Sequence, residues 1–175
     1  MTVGELVITN ARIVLRERVI ACGHVAVADG RIAAVGEGAS RVAGATDFDG
    51  DLLIPGLVEL HTDHLEAHFM PRSGVLWDAH AAVLAYDAQV VAAGITTVHD
   101  SLRCGSYEPD DLVADEAATL AWAIEAAAAA GILRAEHLMH LRCELTAPEA
   151  AAMAGSLMSR HEVHLVSLMD HTPGQ

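Results

Sequence analysis

The strongest constraint on the fold is an alternation of short apolar runs with longer helical segments, which begins near residue 53 and continues to the end of the sequence. This alternation is typical of parallel βα units, in which a helix returns the chain to the same edge of the sheet. Strands are predicted near 53–60 and at 95–99, 137–143 and 163–169, with helices near 79–93 and at 111–130 and 147–160. Four strands and three intervening helices predict half of an eight-stranded α/β barrel of the TIM type.

Residues 1–52 are predicted to form a separate, small β-sandwich module. The segments ELVITNARIVL and VIACGHVAVADGRIAAVG contain apolar stretches typical of strands, and Asp29-Gly30 lies between two such stretches as a hairpin turn. A passage rich in glycine and aspartate follows at 36–51, after which the periodicity changes. We therefore place the domain boundary near residue 52, with a partial barrel at 53–175.

The charge balance limits the partners that this chain can bind. Ten lysine and arginine residues stand against 24 aspartate and glutamate residues, which gives a formal net charge of -14. Such a chain repels nucleic acid and anionic membranes, so neither is expected as a partner. The N-terminal residues do not have the pattern of a signal peptide, and the sequence contains no long apolar run free of charges. The three cysteines lack C-x-x-C spacing. A cytoplasmic protein with reduced thiols is expected.

The last residues of the sequence, LMDHTPGQ, follow directly on a predicted strand. With no closing helix after this strand, we interpret the barrel as an N-terminal portion whose C-terminal half is missing. An open half barrel exposes strand edges and apolar faces, which isolated monomers avoid. Association into a homo-oligomer through these edges is therefore an expectation.

Residues able to bind metal follow each predicted strand. In parallel βα folds the carboxyl ends of the strands meet at one rim, where functional side chains collect. Polar residues at the four strand ends are His61, Thr62 and Asp63, then His99 and Asp100, then Glu144, and finally Asp170 and His171. All four strands are thus predicted to contribute to one site.

The alternation of side chains along a strand predicts that His61 and Asp63 share a face. Imidazole nitrogen and carboxylate oxygen on one side suit a divalent cation such as Zn²⁺ or Mn²⁺, and one or two ions there would activate water. His64 and His68 are interpreted as loop or helix residues outside the ligand set. The HLEAH segment places its glutamate one position too late for the metalloprotease motif.

The third strand of the barrel is predicted to be polar on one face. Glu136, His140, Arg142 and Glu144 point one way and His137, Met139, Leu141 and Cys143 the other. His140 fits two descriptions equally, a residue lining the site and a hydrogen-bonded interior imidazole. Three roles fit His99 and Asp100: metal ligands, a proton relay, or polar residues that simply end a strand. The carboxylates in helical stretches are expected to be solvated charges; they are Asp87, Glu125, Glu149 and Glu162.

Two of the few cations, Arg72 and Arg142, fall near the predicted rim. A guanidinium group binds phosphate in a bidentate manner, so both are candidates for binding an anionic substrate, together with His140 as a lining residue. The alternative for each arginine is a salt bridge to a neighbouring carboxylate.

Several blocks of the sequence together resemble the amidohydrolase superfamily. The segment IPGLVELHTD is similar to that superfamily's first barrel strand, with Asp63 in the place of the second histidine. The blocks PRSGVLW, AAGITTVHDSLRCG, RAEHLMHLRCEL and LVSLMDHTPGQ resemble one branch, a family of ribosyl triphosphate diphosphatases of the carbon–phosphorus lyase pathway. Ser73 and Asp78 depart from that family's pattern, which has prolines at both positions.

This resemblance implies metal-dependent hydrolysis of α-D-ribose 1-methylphosphonate 5-triphosphate to the 5-phosphate and pyrophosphate, in phosphonate catabolism. By position it implies His61, Asp63, Glu144 and His171 as metal ligands, and it places the general base in the missing half. We therefore expect weak or no turnover by this chain alone. The alternatives are a cyclic amidase or deacetylase of the same superfamily, which Asp63 disfavours, and a non-catalytic remnant.

Overall fold

The computed structural model describes residues 6–106 and 113–171, with the side chains described from residue 116 in the second range. The chain divides into two compact units, Met1–Pro55 and Gly56–Gln175.

The first unit is a small β-sheet. Its strands are β1 (Leu6–Val14), β2 (Val19–Ala28), β3 (Arg31–Glu37), β4 (Thr46–Asp47) and β5 (Leu52–Leu53). The order is β3-β2-β1-β4, with β5 also paired to β1, so the described strands form one sheet rather than two facing sheets. Asp29 and Gly30 have φ angles of 50° and 72°, as a tight turn between antiparallel β2 and β3 requires. The predicted hairpin is confirmed.

The second unit is an α/β fold with a four-stranded sheet in the order β6-β7-β8-β9. Its elements are β6 (Leu57–Thr62), α1 (His64–Phe69), α2 (Ala79–Ala92), β7 (Ile95–Cys104), α3 (Val113–Ala129), β8 (Glu136–Glu144), α4 (Ala150–Met158) and β9 (Val163–Met169). Every pair of neighbouring strands is parallel. The predicted fold class, strands alternating with helices around a parallel sheet, is confirmed.

Glycines end two of the helices. Gly94 and Gly131 have φ angles of 79° and 66°. Their backbone N–H groups donate to the carbonyl oxygens of Val91 and Ala128, each at 2.9 Å. Both residues therefore cap carbonyl groups at a helix end in a conformation that favours glycine.

The second strand of the barrel is longer than its apolar run predicts. The prediction ended it at residue 99, with His99 and Asp100 at the rim, whereas β7 continues to Cys104. Pairing with β8 persists to Cys104 opposite Cys143, and both Leu102 and Cys104 are fully buried. His99 and Asp100 therefore lie in the middle of a strand.

The core of the second unit lies between the sheet and its helices. It contains apolar residues of β7 and β8, including Val98, Leu102 and Leu141, each with 0% exposure. Leu65 and Phe69 attach the short helix α1 to this core. The edge strands β6 and β9 carry exposed apolar side chains, namely Leu57, Val58, Leu60, Val166 and Leu168. No helix of the described residues is long and apolar enough to span a membrane.

Three buried ionisable residues join helix α2 to strands β7 and β8. The ring of His137 lies with Nδ1 2.9 Å from Asp100 Oδ2 and Nε2 3.3 Å from Asp87 Oδ1. Asp87 Oδ1 also accepts hydrogen bonds from the backbone N–H groups of Arg134 and Ala135, at 3.0 Å each. The prediction that Asp87 is a solvated charge is wrong, because it occupies the inner face of α2 and its side chain is 2% exposed.

The pKa values within this cluster follow from burial and hydrogen bonding. Burial lowers the pKa of His137, but the hydrogen bonds and charges of Asp100 and Asp87 outweigh it and raise the pKa. Burial also raises the pKa of Asp87, but hydrogen bonds from Ala135, Arg134 and His137 hold that pKa below its usual range. Burial raises the pKa of Asp100. The cluster therefore favours a protonated imidazole held between two acceptors.

Replacing Asp87 by alanine should lower the free energy of unfolding by about 3 kcal/mol, because it leaves His137 and two backbone N–H groups without their acceptor. Urea denaturation of wild type and Asp87→Ala measures this difference. Glu162→Gln is the control, since the Glu162 side chain is 87% exposed, and it should change stability by less than about 0.5 kcal/mol. An equal effect of the two substitutions would contradict the assignment of Asp87 to a stabilising buried network.

The raised pKa of His137 makes stability depend on pH. The stabilisation from the protonated ring is complete below 6.5, the ordinary value, and is lost as the pH rises through the higher pKa of the folded state. We expect the His137 resonances to titrate above pH 6.5 in an NMR experiment. The free energy of unfolding should fall with rising pH in the same window, and His137→Gln should remove that part of the slope.

Candidate functional site

His61 and Asp63 lie together at the carboxyl end of β6. His61 Nε2 is 3.3 Å from Asp63 Oδ1, and the side chains are 36% and 46% exposed. The backbone N–H of His61 donates to Glu59 Oε1 at 2.9 Å. The structure therefore brings this predicted pair onto one face, open to solvent.

The spacing of this pair suits a shared cation. Two ligand atoms at about 2.1 Å from a tetrahedral zinc ion lie about 3.4 Å apart. The His61 Nε2 to Asp63 Oδ1 distance of 3.3 Å is close to this value, and the two donors are of the types that Zn²⁺ and Mn²⁺ accept. Within the described part of the chain, no three histidine, cysteine, aspartate or glutamate side chains are grouped so as to hold a metal ion. His61 and Asp63 thus fit as two ligands and not as a complete site.

Glu144 and His171 form a second pair. Glu144 Oε2 is 2.6 Å from His171 Nδ1, and Oε1 accepts from the Thr146 hydroxyl at 2.8 Å and the His171 backbone N–H at 3.2 Å. The hydrogen bond to the His171 side chain is the main reason why the pKa of Glu144 falls to about 2. The structure brings these two predicted ligands to each other but does not group them with His61 and Asp63.

Arg142 binds two carboxylates at the strand ends. Its Nη1 donates to Asp63 Oδ2 at 2.5 Å and its Nη2 to Glu66 Oε2 at 3.2 Å. The Arg142 side chain is 13% exposed. The salt-bridge alternative for this arginine is thus present in the structure.

Glu66 is a site residue that sequence reasoning missed. It lies in α1, next to the buried Leu65, and its Oε1 accepts a hydrogen bond from the backbone N–H of Arg103 at 3.0 Å. Burial raises the pKa of Glu66, against the opposing charges of Arg142 and Arg103. The available signal was its position three residues after Asp63, which places both at the start of one short helix.

His140 is enclosed by hydrogen-bond partners from three strands. Nδ1 lies 3.0 Å from the carbonyl oxygen of Leu60 and 3.1 Å from the Ser101 hydroxyl, and Nε2 lies 2.8 Å from the Ser167 hydroxyl. The residue is 1% exposed, and burial lowers the pKa of its ring. The ring centroid is 5.0 Å from that of His61. His140 therefore packs against the His61 ring from the buried side.

Arg72 and His99 differ from the other candidates in having fewer contacts. Arg72 is exposed, and among the residues with defined side-chain positions no carboxylate lies within 4.0 Å of it. The buried Nδ1 of His99 has no hydrogen-bond partner within the same set. His99 is two positions from Ser101 on β7, so it shares the strand face that contacts His140.

A cavity of about 480 Å³ opens beside the His61 and Asp63 pair. Its polar lining includes Glu59 of β6, His64 of α1 and Gln89 of α2. Gln89 bridges two histidines of α1, with Oε1 2.8 Å from His68 Nε2 and Nε2 3.3 Å from His64 Nδ1. The volume is in the range of ordinary small-molecule sites.

The fold is shared with solved amidohydrolase structures. A crystal structure of an amidohydrolase aligns with a TM-score of 0.56 and 17% identity, covering 80% of this chain and 32% of that one. A dihydroorotase aligns with a TM-score of 0.51 and 16% identity over 94% of this chain and 42% of that one. N-isopropylammelide isopropylaminohydrolase from Burkholderia multivorans ATCC 17616 aligns with a TM-score of 0.51 and 20% identity, over 92% and 44%. The predicted relation in fold is confirmed.

A curated protein is similar along nearly the whole chain. The alpha-D-ribose 1-methylphosphonate 5-triphosphate diphosphatase of Escherichia coli (strain K12) is 42% identical over 170 residues. The match covers 97% of this chain and 45% of that protein, so the chain spans less than half the length of its relative. No family model matches the chain. The resemblance predicted from the sequence blocks is confirmed.

Replacing His140 by alanine should destabilise the protein by about 2 kcal/mol, because it removes a buried ring and leaves two serine hydroxyls and the Leu60 carbonyl without their partner. Thermal or urea unfolding measures the change. His164→Ala is the matched control on the exposed face of β9 and should have little effect. Equal stabilities of the two variants would show that the His140 hydrogen bonds contribute nothing to folding.

Proposed function

We propose that this chain is part of a hydrolase that converts α-D-ribose 1-methylphosphonate 5-triphosphate to the 5-phosphate and pyrophosphate. The identity of 42% over 97% of the chain to a diphosphatase of that name carries the proposal. In this reaction water adds across the bond between the first and second phosphates, and pyrophosphate leaves. The methylphosphonate group stays on the sugar, and we propose that the step belongs to phosphonate catabolism and, more narrowly, to the carbon–phosphorus lyase pathway.

The proposed cofactor is a divalent metal, Zn²⁺ or Mn²⁺, as one or two ions. His61 and Asp63 would hold it, and their separation of 3.3 Å supports this role. Glu144 and His171 are proposed as further ligands at the same edge of the sheet. When bound, such an ion polarises a phosphoryl oxygen and lowers the pKa of water. The buried His140 contacts the carbonyl oxygen of Leu60. This contact holds the backbone of β6 next to His61 and so keeps the His61 ring in place.

Binding of the triphosphate requires cations in an acidic chain. Arg72 is the proposed phosphate contact, because it is exposed and none of the described carboxylates lies within 4.0 Å of it. The cavity beside His61 and Asp63, of about 480 Å³, supports a ligand of sugar-phosphate size at this edge. We also propose that the chain self-associates through the exposed apolar side chains of β6 and β9. The proposed location is the cytoplasm.

The proposal predicts slow, metal-dependent release of pyrophosphate. Incubation of the purified chain with the triphosphate and Mn²⁺ or Zn²⁺, followed by phosphorus NMR, should show the 5-phosphate and pyrophosphate. His61→Ala and Asp63→Ala should reduce the rate by about 100-fold or more, because each removes a ligand of the proposed ion. His164→Ala, on β9, should leave the rate unchanged.

A cyclic amide, dihydroorotate, serves as the competing substrate in the same assay. Turnover of the amide without release of pyrophosphate would overturn the proposal in favour of an amidase. Release of pyrophosphate at equal rates by wild type and His61→Ala would show that the reaction does not depend on the proposed site.

A further inference from the structure

A chain of contacts crosses the carboxyl ends of three neighbouring strands and ends at Asp63. It starts at the backbone N–H of Arg103 on β7, passes through the carboxylate of Glu66 and the guanidinium of Arg142, and reaches Asp63 Oδ2. We propose that Glu66 and Arg142 are positioning residues that turn the Asp63 carboxylate toward His61 and keep it available to a divalent cation. This inference rests on the proposed function and adds two residues to its site.

The orientation of Asp63 follows from the way its two oxygens are used. Arg142 Nη1 holds Oδ2 at 2.5 Å, which leaves Oδ1 on the side of His61 Nε2, at 3.3 Å. A carboxylate that is free to rotate would spend only part of its time in this position. Fixing one oxygen by a charged hydrogen bond therefore lowers the entropic cost of presenting the other oxygen to an ion.

Glu66 balances the charge that this arrangement introduces. A guanidinium next to a metal ligand repels a cation, and Arg142 alone would neutralise Asp63. Both oxygens of Glu66 accept hydrogen bonds, one from a backbone N–H and one from Arg142, so the group acts as a carboxylate. With Glu66 and Asp63 on either side of Arg142, the three side chains together carry one negative charge. The site thus retains its attraction for a cation while Arg142 orients the ligand.

Both supporting side chains are more buried than Asp63, the residue that lies at the candidate metal position. The Asp63 side chain is 46% exposed, Glu66 is 23% exposed and Arg142 is 13% exposed. Helix α1 is fixed beneath Glu66 by Leu65 and Phe69, which are 2% and 6% exposed. The supporting groups are therefore held by the fold, whereas the end that meets an ion is open to solvent.

Two substitutions separate the orienting role from the charge role. Glu66→Gln keeps the size and an acceptor for the Arg103 N–H but leaves Asp63 alone to balance the Arg142 charge, so the three side chains together become neutral. Arg142→Lys keeps the charge but loses the fork that reaches two carboxylates. Zn²⁺ binding to the intact chain is measured by isothermal titration calorimetry, and the visible spectrum of bound Co²⁺ reports the geometry of the ligands. Each variant should bind Zn²⁺ about 10-fold or more weakly, with an altered Co²⁺ spectrum.

The double variant Glu66→Gln with Arg142→Gln gives a further test. Removing the Arg142 charge as well should restore part of the affinity that Glu66→Gln loses, because Asp63 is then no longer neutralised, so the two substitutions should not be additive. A purely structural role of Glu66 would give no such recovery. If Glu66→Gln alone folds poorly, the Zn²⁺ affinities of Arg142→Lys and of the double variant, each compared with wild type, still test the inference.

Matched controls come from the same unit. Glu149→Gln alters another glutamate that accepts a backbone N–H, from Ser106 at 3.3 Å, and Arg134→Lys alters an exposed arginine. Both should bind Zn²⁺ as wild type does. Equal affinity of wild type, Glu66→Gln and Arg142→Lys would overturn the inference while leaving the proposed function in place. Failure of wild type to bind Zn²⁺, Co²⁺ or Mn²⁺ would overturn both.

Discussion

Eight consecutive residue pairs join β7 to β8 without a register shift, from Thr97 with Glu136 to Cys104 with Cys143. The side chains of a strand alternate between faces, so this register decides which residues meet the helices and which meet the site. It places Leu102 and Leu141 in the core and Arg103 beside Arg142 at the strand ends. A slip of one residue would exchange these two sets.

Ionisable groups occupy both faces of the sheet under different conditions. On the helix side, the ring of His137 lies between the buried carboxylates of Asp87 and Asp100, and these contacts join α2 to the strands. On the other face, charged residues lie near solvent, where an ion can reach them at low desolvation cost. The two clusters contain similar ionisable groups. The cluster around His137 is buried and stabilises the fold, whereas the cluster around His61 and Asp63 is open to solvent and forms the candidate site.

The candidate site depends on contacts between residues far apart in the sequence. Asp63 follows the first strand of the parallel sheet, Arg142 lies in the third, and His140 of the third contacts the backbone of the first. These contacts join the end of the partly exposed strand β6 to the rest of the sheet, next to His61 and Asp63. Arg142 contacts the carboxylates of Asp63 and Glu66, whereas Arg72 is exposed.

The sequence by itself determined the alternation of strands and helices, the Asp29-Gly30 hairpin, the glycine caps and the pairing of His61 with Asp63. These features depend on local periodicity and turn conformation, which neighbouring residues specify. The tertiary structure alone decided the length of β7, the burial of Asp87 and the place of Glu66, because each depends on partners tens of residues away. Asp87 shows the reason: an aspartate in a helical stretch is solvated by default, and only packing against β8 supplies the buried donors that retain it.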